Sequence, residues 1–340
     1  MSRRALNLVK KRNNTSHEGG ALVAFVHVPK TAGGTVKAML AAPPSQRRVI
    51  DCGNFLRSPE GMNRKLAQLT ARGWSKDDVV IGHVPYGAYR AQFPPDVTYM
   101  TFLREPVDRV ISHYYRHVDR AQGRDRTRGV KPRTRKRGGS LETVLSDPKF
   151  FYLSNLQTRF LCSDPAPMGR LEESALEEAK TNLRELAFVG IQERFTESLV
   201  LFQRSVGLEL TPATDRHVNT YRPSIEDIDD AERQLIEEHN RLDAELYRSA
   251  RALFDERVAE ADEAFAAEVD VLRAATTTVN DRDNAEVDAV AEWIDGELPP
   301  GRTKLDDALR ATAAERGIPD RVLKRAARRV AANRRRPDAA

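Results

Sequence analysis

Between residues 27 and 35 the chain reads HVPKTAGGT, and between residues 103 and 115 it reads LREPVDRVISHYY. In the first stretch a lysine, two glycines and a threonine follow the apolar run ALVAFV. That is the composition of a strand that ends in a turn and opens a helix whose amides face an anion. Gly33 and Gly34 permit close approach to the main chain, and Thr35 adds a hydroxyl. In the second stretch Arg104 closes an apolar run, Pro106 suits the first turn of a helix, and Ser112 lies two turns along it. An arginine fork and a hydroxyl converging there would hold a phosphate group. Two anion sites on neighbouring strands fit a nucleotide that carries phosphates at both ends of one ribose.

The order of residues separates this turn from the nucleoside-triphosphatase loop, in which the glycines come first and Gly-Lys-Ser/Thr opens the helix. Here Lys30 precedes Gly33 and Gly34, and no acidic strand end follows to hold magnesium.

The elements that must position these residues alternate. A continuous apolar run over 21–28 predicts a central parallel strand covered on both faces. TVKAMLAA follows as a helix stopped by Pro43 and Pro44. RRVIDC predicts a second strand, PEGMNRKLAQLTARG a helix closed by Gly73, and DVVIGH a third strand. VTYMTFL is a fourth strand, leading through REP into a helix with Val107, Val110, Ile111 and Tyr114 at helical spacing. The alternation predicts an α/β fold with a P-loop-like, doubly wound parallel sheet flanked by helices. Ligands of such sheets bind beyond the carboxyl ends of the strands, where both PKTAGG and REP fall. Further on, SLETVLSD, FFYLSNLQTRFLC and ALEEAKTNLREL are helical, AFVGIQERF is a strand, TESLVLFQRSVG is a helix, and a long amphipathic helix begins near Asp229.

With 340 residues the chain can bury a large core, and its charged fraction of 31% is that of a soluble globular protein. A formal net charge of +5 favours acidic partners. The first 20 residues read as a disordered basic arm, residues 21–255 as the main α/β domain, and residues 256–340 as a helical, charged C-terminal extension. Inside the domain, 120–139 is a basic insertion that must be exposed, since unpaired charges are costly to bury. It lacks the aromatics that would stack bases, so no nucleic-acid partner is expected. The basic helix near RVLKRAARRVAANRRR is read as a solvated face, with a membrane surface or another chain as alternatives. No apolar run is long enough to cross a bilayer, no secretory signal is evident, and the expected location is cytoplasmic. Cys52 and Cys162 have no metal-ligand spacing and read as semi-buried thiols; the histidine pair His113 and His117 lacks a third ligand, and no metal is expected.

HVPKTAGGT and REPVDRVISHYY resemble the two cofactor-binding signatures of the sulfotransferases, most of all the carbohydrate type and its uronosyl, heparan sulfate 2-O-sulfotransferase group. IGHVPYG, QTRFLC and FVGIQERFTESL resemble further segments of that group, in the same order. The resemblance implies a sulfotransferase that moves a sulfuryl group from 3′-phosphoadenosine 5′-phosphosulfate (PAPS) to a hydroxyl acceptor, a saccharide or glycan. It assigns Lys30, Thr31, Ala32, Gly33, Gly34 and Thr35 to the 5′-phosphosulfate, and Arg104 and Ser112 to the 3′-phosphate. It makes His83, at the end of the third strand, the catalytic base, with Lys30 on the leaving oxygen. Arg216 and Asn219, in DRHVNTYRPS, take the place of a loop near the nucleotide. His27 reads as a packing residue. A nucleotide-dependent phosphotransferase and a non-catalytic module binding nucleotides or polyanions are the alternative readings. Oligomeric state is not legible in the chain.

Overall fold

A computed structural model of the protein describes residues 22–42, 48–54, 58–75, 78–121, 140–164, 169–207, 210, 212, 223, 225–299 and 305–334. The N-terminal arm, residues 122–139 of the basic insertion, and Arg216 and Asn219 lie outside the described residues. Two compact units emerge, the first ending at Ala266 and the second beginning at Ala267.

The first unit is built on five parallel strands. They are β1 (Val23–Val26), β2 (Arg48–Asn54), β3 (Asp78–His83), β4 (Thr98–Leu103) and β5 (Phe188–Ile191), in the order β2-β3-β1-β4-β5. β1 is central and buried throughout, as its unbroken run of Val, Ala and Phe requires; β2 lies at the edge and is partly exposed. The register pairs Val26 with Gly82 of β3 and with Thr101 of β4, and Leu103 with Ile191 of β5. From β1 the chain crosses to the edge strand β2, returns to β3 beside β1, and then passes to β4 and β5 on the other side. The order therefore reverses at β1, which is where a ligand crevice forms in an open α/β sheet.

Helices connect and flank the strands. α1 (Gly33–Ala41) and α2 (Pro59–Arg72) pack on β2. α2 starts at Ser58, whose hydroxyl accepts from the Gly61 amide at 3.1 Å, and stops at Gly73 with φ 75°. α3 (Tyr86–Gln92) joins β3 to β4, and α4 (Pro106–Ala121) follows β4. The sequence pattern alone did not predict α3, whose single helical turn pair carries no full apolar period. α5 (Leu141–Ser146) leads through a 3-10 segment (Pro148–Leu153) to α6 (Leu156–Leu161). The expected continuous helix over FFYLSNLQTRFLC is instead broken at Asn155, a left-handed residue with φ 48°. α7 (Glu173–Glu185) precedes β5, and α8 (Phe195–Val206) follows it and packs on it.

The long helix expected from Asp229 is likewise two, α9 (Asp230–His239) and α10 (Arg241–Ala259), broken at Asn240. The Asn240 side chain is fully buried; its amide donates to the Ile236 carbonyl at 3.0 Å and its Oδ1 accepts from the Asn155 amide at 2.9 Å. Local hydrogen bonding by asparagine thus replaces the helical path at this position.

α11 (Ala264–Glu297), α12 (Asp307–Glu315) and α13 (Asp320–Asn333) complete the chain. In the second unit Val290, Ile294, Leu298, Val322, Leu323 and Val330 form an apolar core of their own. The basic helix α13 is tied back to α11: Arg325 pairs with Asp283, and Arg329 with Asp288, while Arg334 just beyond it pairs with Asp295. No helix among the described residues is long and apolar enough to cross a membrane.

Candidate active site

The turn after β1 is shaped by its main chain. Lys30 and Ala32 both have positive φ, 77° and 64°, a conformation costing about 1–3 kcal/mol for a residue with a side chain. Between them Thr31 is buried, and its hydroxyl donates to the Val28 carbonyl at 2.9 Å. α1 then opens at Gly33 and Gly34, whose amides occupy the positions that a helix leaves without internal acceptors. Ala32 supplies no side-chain cap, and the first turn of α1 contains no acidic residue. The helix therefore meets the sheet edge with its positive end uncompensated by a local side chain. Thr35 is buried behind it and its amide donates to the Ala32 carbonyl at 2.9 Å.

Glycine at position 33 is required by a neighbour. A Cβ there would sit 2.1 Å from Cδ2 of His27. His27 does pack, as expected: its ring lies against Gly33 and, with centroids 4.3 Å apart, against the ring of His83. His83, the last residue of β3, places Nδ1 2.8 Å from the His27 carbonyl oxygen. A carbonyl can only accept, so Nδ1 carries the proton, and a neutral ring then holds its lone pair on Nε2.

Arg104 sits just past the end of β4 and is 7% exposed. Its Nη1 donates to the Lys30 carbonyl at 3.1 Å, so the two signature segments touch directly. Nε donates to Asp108 Oδ2 at 2.8 Å, and Nη2 pairs with the same carboxylate. Glu105 does not pair with Arg104; its carboxylate accepts from the amides of Val107 at 3.1 Å and Asp108 at 2.6 Å, capping α4. Burial pushes the Glu105 carboxyl above its ordinary range, against the pull of those two amides. Ser112 is buried two turns along α4. At the end of β5, Glu193 accepts from the Glu105 amide at 2.8 Å and from the Tyr247 hydroxyl at 2.6 Å.

Beneath Arg104 lies a polar cluster that sequence reasoning missed. Asp243 of α10 is fully buried and accepts from the amides of Gln157 and Thr158 at 3.0 and 2.8 Å, and from the Thr158 hydroxyl at 2.9 Å. Arg109, also fully buried, faces it at 3.9 Å and donates to the carbonyl of Leu153 at 3.2 Å and to Asn240 Oδ1 at 3.4 Å. Burial pulls the Arg109 guanidinium down to about 10, with the Asp243 charge opposing that shift. The only sequence signal for this cluster was the segment QTRF itself. Cys52 and Cys162 are buried free thiols, and burial pushes them up to about 12 and about 11. They are correspondingly poor nucleophiles.

The sheet edge thus gathers Lys30 to Thr35, His83 and Arg104, with Ser112 on the helix that Arg104 introduces. Residues 10–292 match the family model described as galactose-3-O-sulfotransferase. The chain belongs to that family. It is 28% identical over 277 residues to heparan-sulfate 6-O-sulfotransferase 1-B of Danio rerio, a match covering 71% of this chain and 67% of the relative. The human heparan-sulfate 6-O-sulfotransferase 1 is 28% identical over 278 residues, again 71% and 67% of the two chains. The mouse heparan-sulfate 6-O-sulfotransferase 3 is 33% identical over 183 residues, 47% of this chain but 38% of that one. Membership of this family makes the protein an enzyme, a PAPS-dependent sulfotransferase of the carbohydrate type.

Proposed function

We propose that the first unit binds PAPS across β1 and β4 and transfers its sulfuryl group to a sugar hydroxyl presented to His83. The observation that carries this reading is the hydrogen bond from Arg104 Nη1 to the Lys30 carbonyl, 3.1 Å long. It brings the residues suited to two separate phosphates within the span of one nucleotide. The turn fits an anionic group: its glycines, its positive φ angles and its helix start without an acidic residue offer amides and no competing charge. In this sense the turn is P-loop-like, with the lysine moved ahead of the glycines. When bound, PAPS supplies the activated sulfuryl group.

The chain's own residues then have defined tasks. The amides of Gly33 and Gly34 and the hydroxyl of Thr35 hold the 5′ end, with Thr31 and Ala32 fixing the bend that leads into them. Arg104 and Ser112 hold the 3′-phosphate, where a guanidinium gives a charge-assisted pair. Lys30 lies at the strand exit, where its ammonium stabilises the charge that develops on the leaving oxygen. His83, fixed through Nδ1, uses Nε2 to take the proton of the acceptor hydroxyl, a group too weak to react unaided near neutral pH. The family model names galactose 3-O transfer, the relatives name heparan-sulfate 6-O transfer, and the sequence motifs resemble the 2-O group. What these share is a saccharide hydroxyl, and that is the acceptor class proposed. A cytoplasmic location belongs to the same reading, supported by the two unpaired cysteines, and fractionation of cells tests it.

Transfer of labelled sulfate from PAPS to a panel of saccharides, with and without magnesium, tests the function. His83→Ala is expected to lower kcat by about a hundredfold or more while leaving donor affinity near its original value. Equal turnover by the two proteins removes His83 from its role.

A further inference from the structure

We propose that Gln157 is a positioning residue for the 3′-phosphate site, acting by clamping the main chain of Arg104. The proposal rests on the reading above that Arg104 binds that phosphate.

β4 leaves the sheet at Leu103, the last residue paired with β5. The amide and carbonyl of Arg104 have thus lost their strand partners at a point where the residue is buried, and such groups must find others. Gln157 supplies both. Its Oε1 accepts from the Arg104 amide at 2.9 Å, and its Nε2 donates to the Arg104 carbonyl at 2.8 Å. A carboxamide has the donor and acceptor of one peptide unit, so this side chain continues the sheet for one residue beyond its last rung. Gln157 is itself fully buried, with no water to compete for these bonds.

The clamp is anchored in turn. The amide of Gln157 donates to Asp243, and Asp243 faces Arg109 on α4, the helix that also carries Ser112. Asn155, which turns the chain into α6, accepts from the Asp243 amide through its side chain at 3.1 Å. The path from Arg104 through Gln157 and Asp243 to Arg109 closes a ring that begins and ends around the REP segment. Its effect is to fix the Cα from which the guanidinium departs. Small displacements of a positioned group cost far more in binding and rate than in stability.

The test uses the full chain and two probes, adenosine 3′,5′-bisphosphate and adenosine 5′-phosphate, titrated calorimetrically without magnesium. The quantity read is the ratio of the two affinities, which isolates the 3′-phosphate. Gln157→Met keeps the volume and removes both bonds; it is expected to lower the ratio about fivefold or more, with affinity for the monophosphate held within about twofold. Arg104→Ala is the control, expected to bring the ratio toward one. A collapsed ratio in Arg104→Ala beside an unchanged ratio in Gln157→Met overturns the clamp and leaves the Arg104 reading intact. An unchanged ratio in Arg104→Ala overturns that reading and the clamp with it. An equal loss of both ligands in Gln157→Met marks a merely structural residue and also overturns the proposal. Should Gln157→Met not fold, Gln157→Glu carries the same measurement, because it keeps the acceptor for the Arg104 amide and sets a carboxylate oxygen against the Arg104 carbonyl. A ratio reduced about threefold or more supports the clamp, and an unaltered ratio overturns it.

Discussion

The two segments that meet at the sheet edge are held in place by opposite means. The turn after β1 is set by its own few residues: two positive φ angles, a threonine bonded three residues back, and a glycine against a ring from the preceding strand end. The exit from β4 is set from a distance, by a glutamine 53 residues on and by a carboxylate on α10 that no local pattern connects to it. Shape rules the first segment and buried charge the second. A disturbance of one segment can therefore leave the geometry of the other in place.

Substitutions can break or sharpen this contrast. The largest effect belongs to the second region. Asp243→Ala leaves Arg109 buried without its counter-charge and strips acceptors from Gln157 and Thr158, so urea unfolding should register a loss of about 3–5 kcal/mol. A loss below 1 kcal/mol, on the order of a surface pair, would remove the buried network as the support of that region. Next comes Gly33→Ala in the first region, where the new methyl group meets His27 and overpacking costs about 1–3 kcal/mol. Adding His27→Ala to the same chain should restore most of that loss, since the obstacle is a side chain; a double variant no better than the single one would trace the cost to the backbone instead. Thr101→Val is smaller. The buried Thr101 hydroxyl donates to the Val26 carbonyl at 2.8 Å, tying β4 to β1 where the two regions join, and its removal should cost about 1 kcal/mol in the same assay. Smallest is the exposed pair of Lys37 with Asp51 beside the first region; Lys37→Ala should change stability by less than about 0.5 kcal/mol, and a larger change would mean that charge also governs the turn.

That contrast also explains what could be read from the chain. The strand and helix alternation was legible because burial on two faces leaves an apolar run; β1, β3, β4 and β5 lie within the runs that predicted them, and β2 runs on two residues past RRVIDC, to Asn54. The turn at Lys30 to Thr35 was legible for the same local reason, since glycines and a lysine within six residues carry their own meaning. Asn240 was not: a polar residue within an amphipathic pattern looks like a solvent face, and only its burial beside Asn155 reveals a break. Gln157, Asp243 and Arg109 were equally hidden, because each is an ordinary polar residue until folding sets it against the others. Arg104 and Asp108, which pair, stand four residues apart, a separation visible in the chain, whereas the bond of Arg104 to Lys30, 74 residues away, had no signature at all. Arg216 and Asn219 fall outside the described residues.

The group that orients His83 belongs to the main chain of residue 27. Histidines steered by a carboxylate can drift when that one side chain mutates. Here no point substitution at position 27 erases the acceptor, and only a rerouted backbone could do so. Evolution is thus free to vary the ring at 27 and the glycine opposite it together, while the imidazole of His83 keeps its bearing.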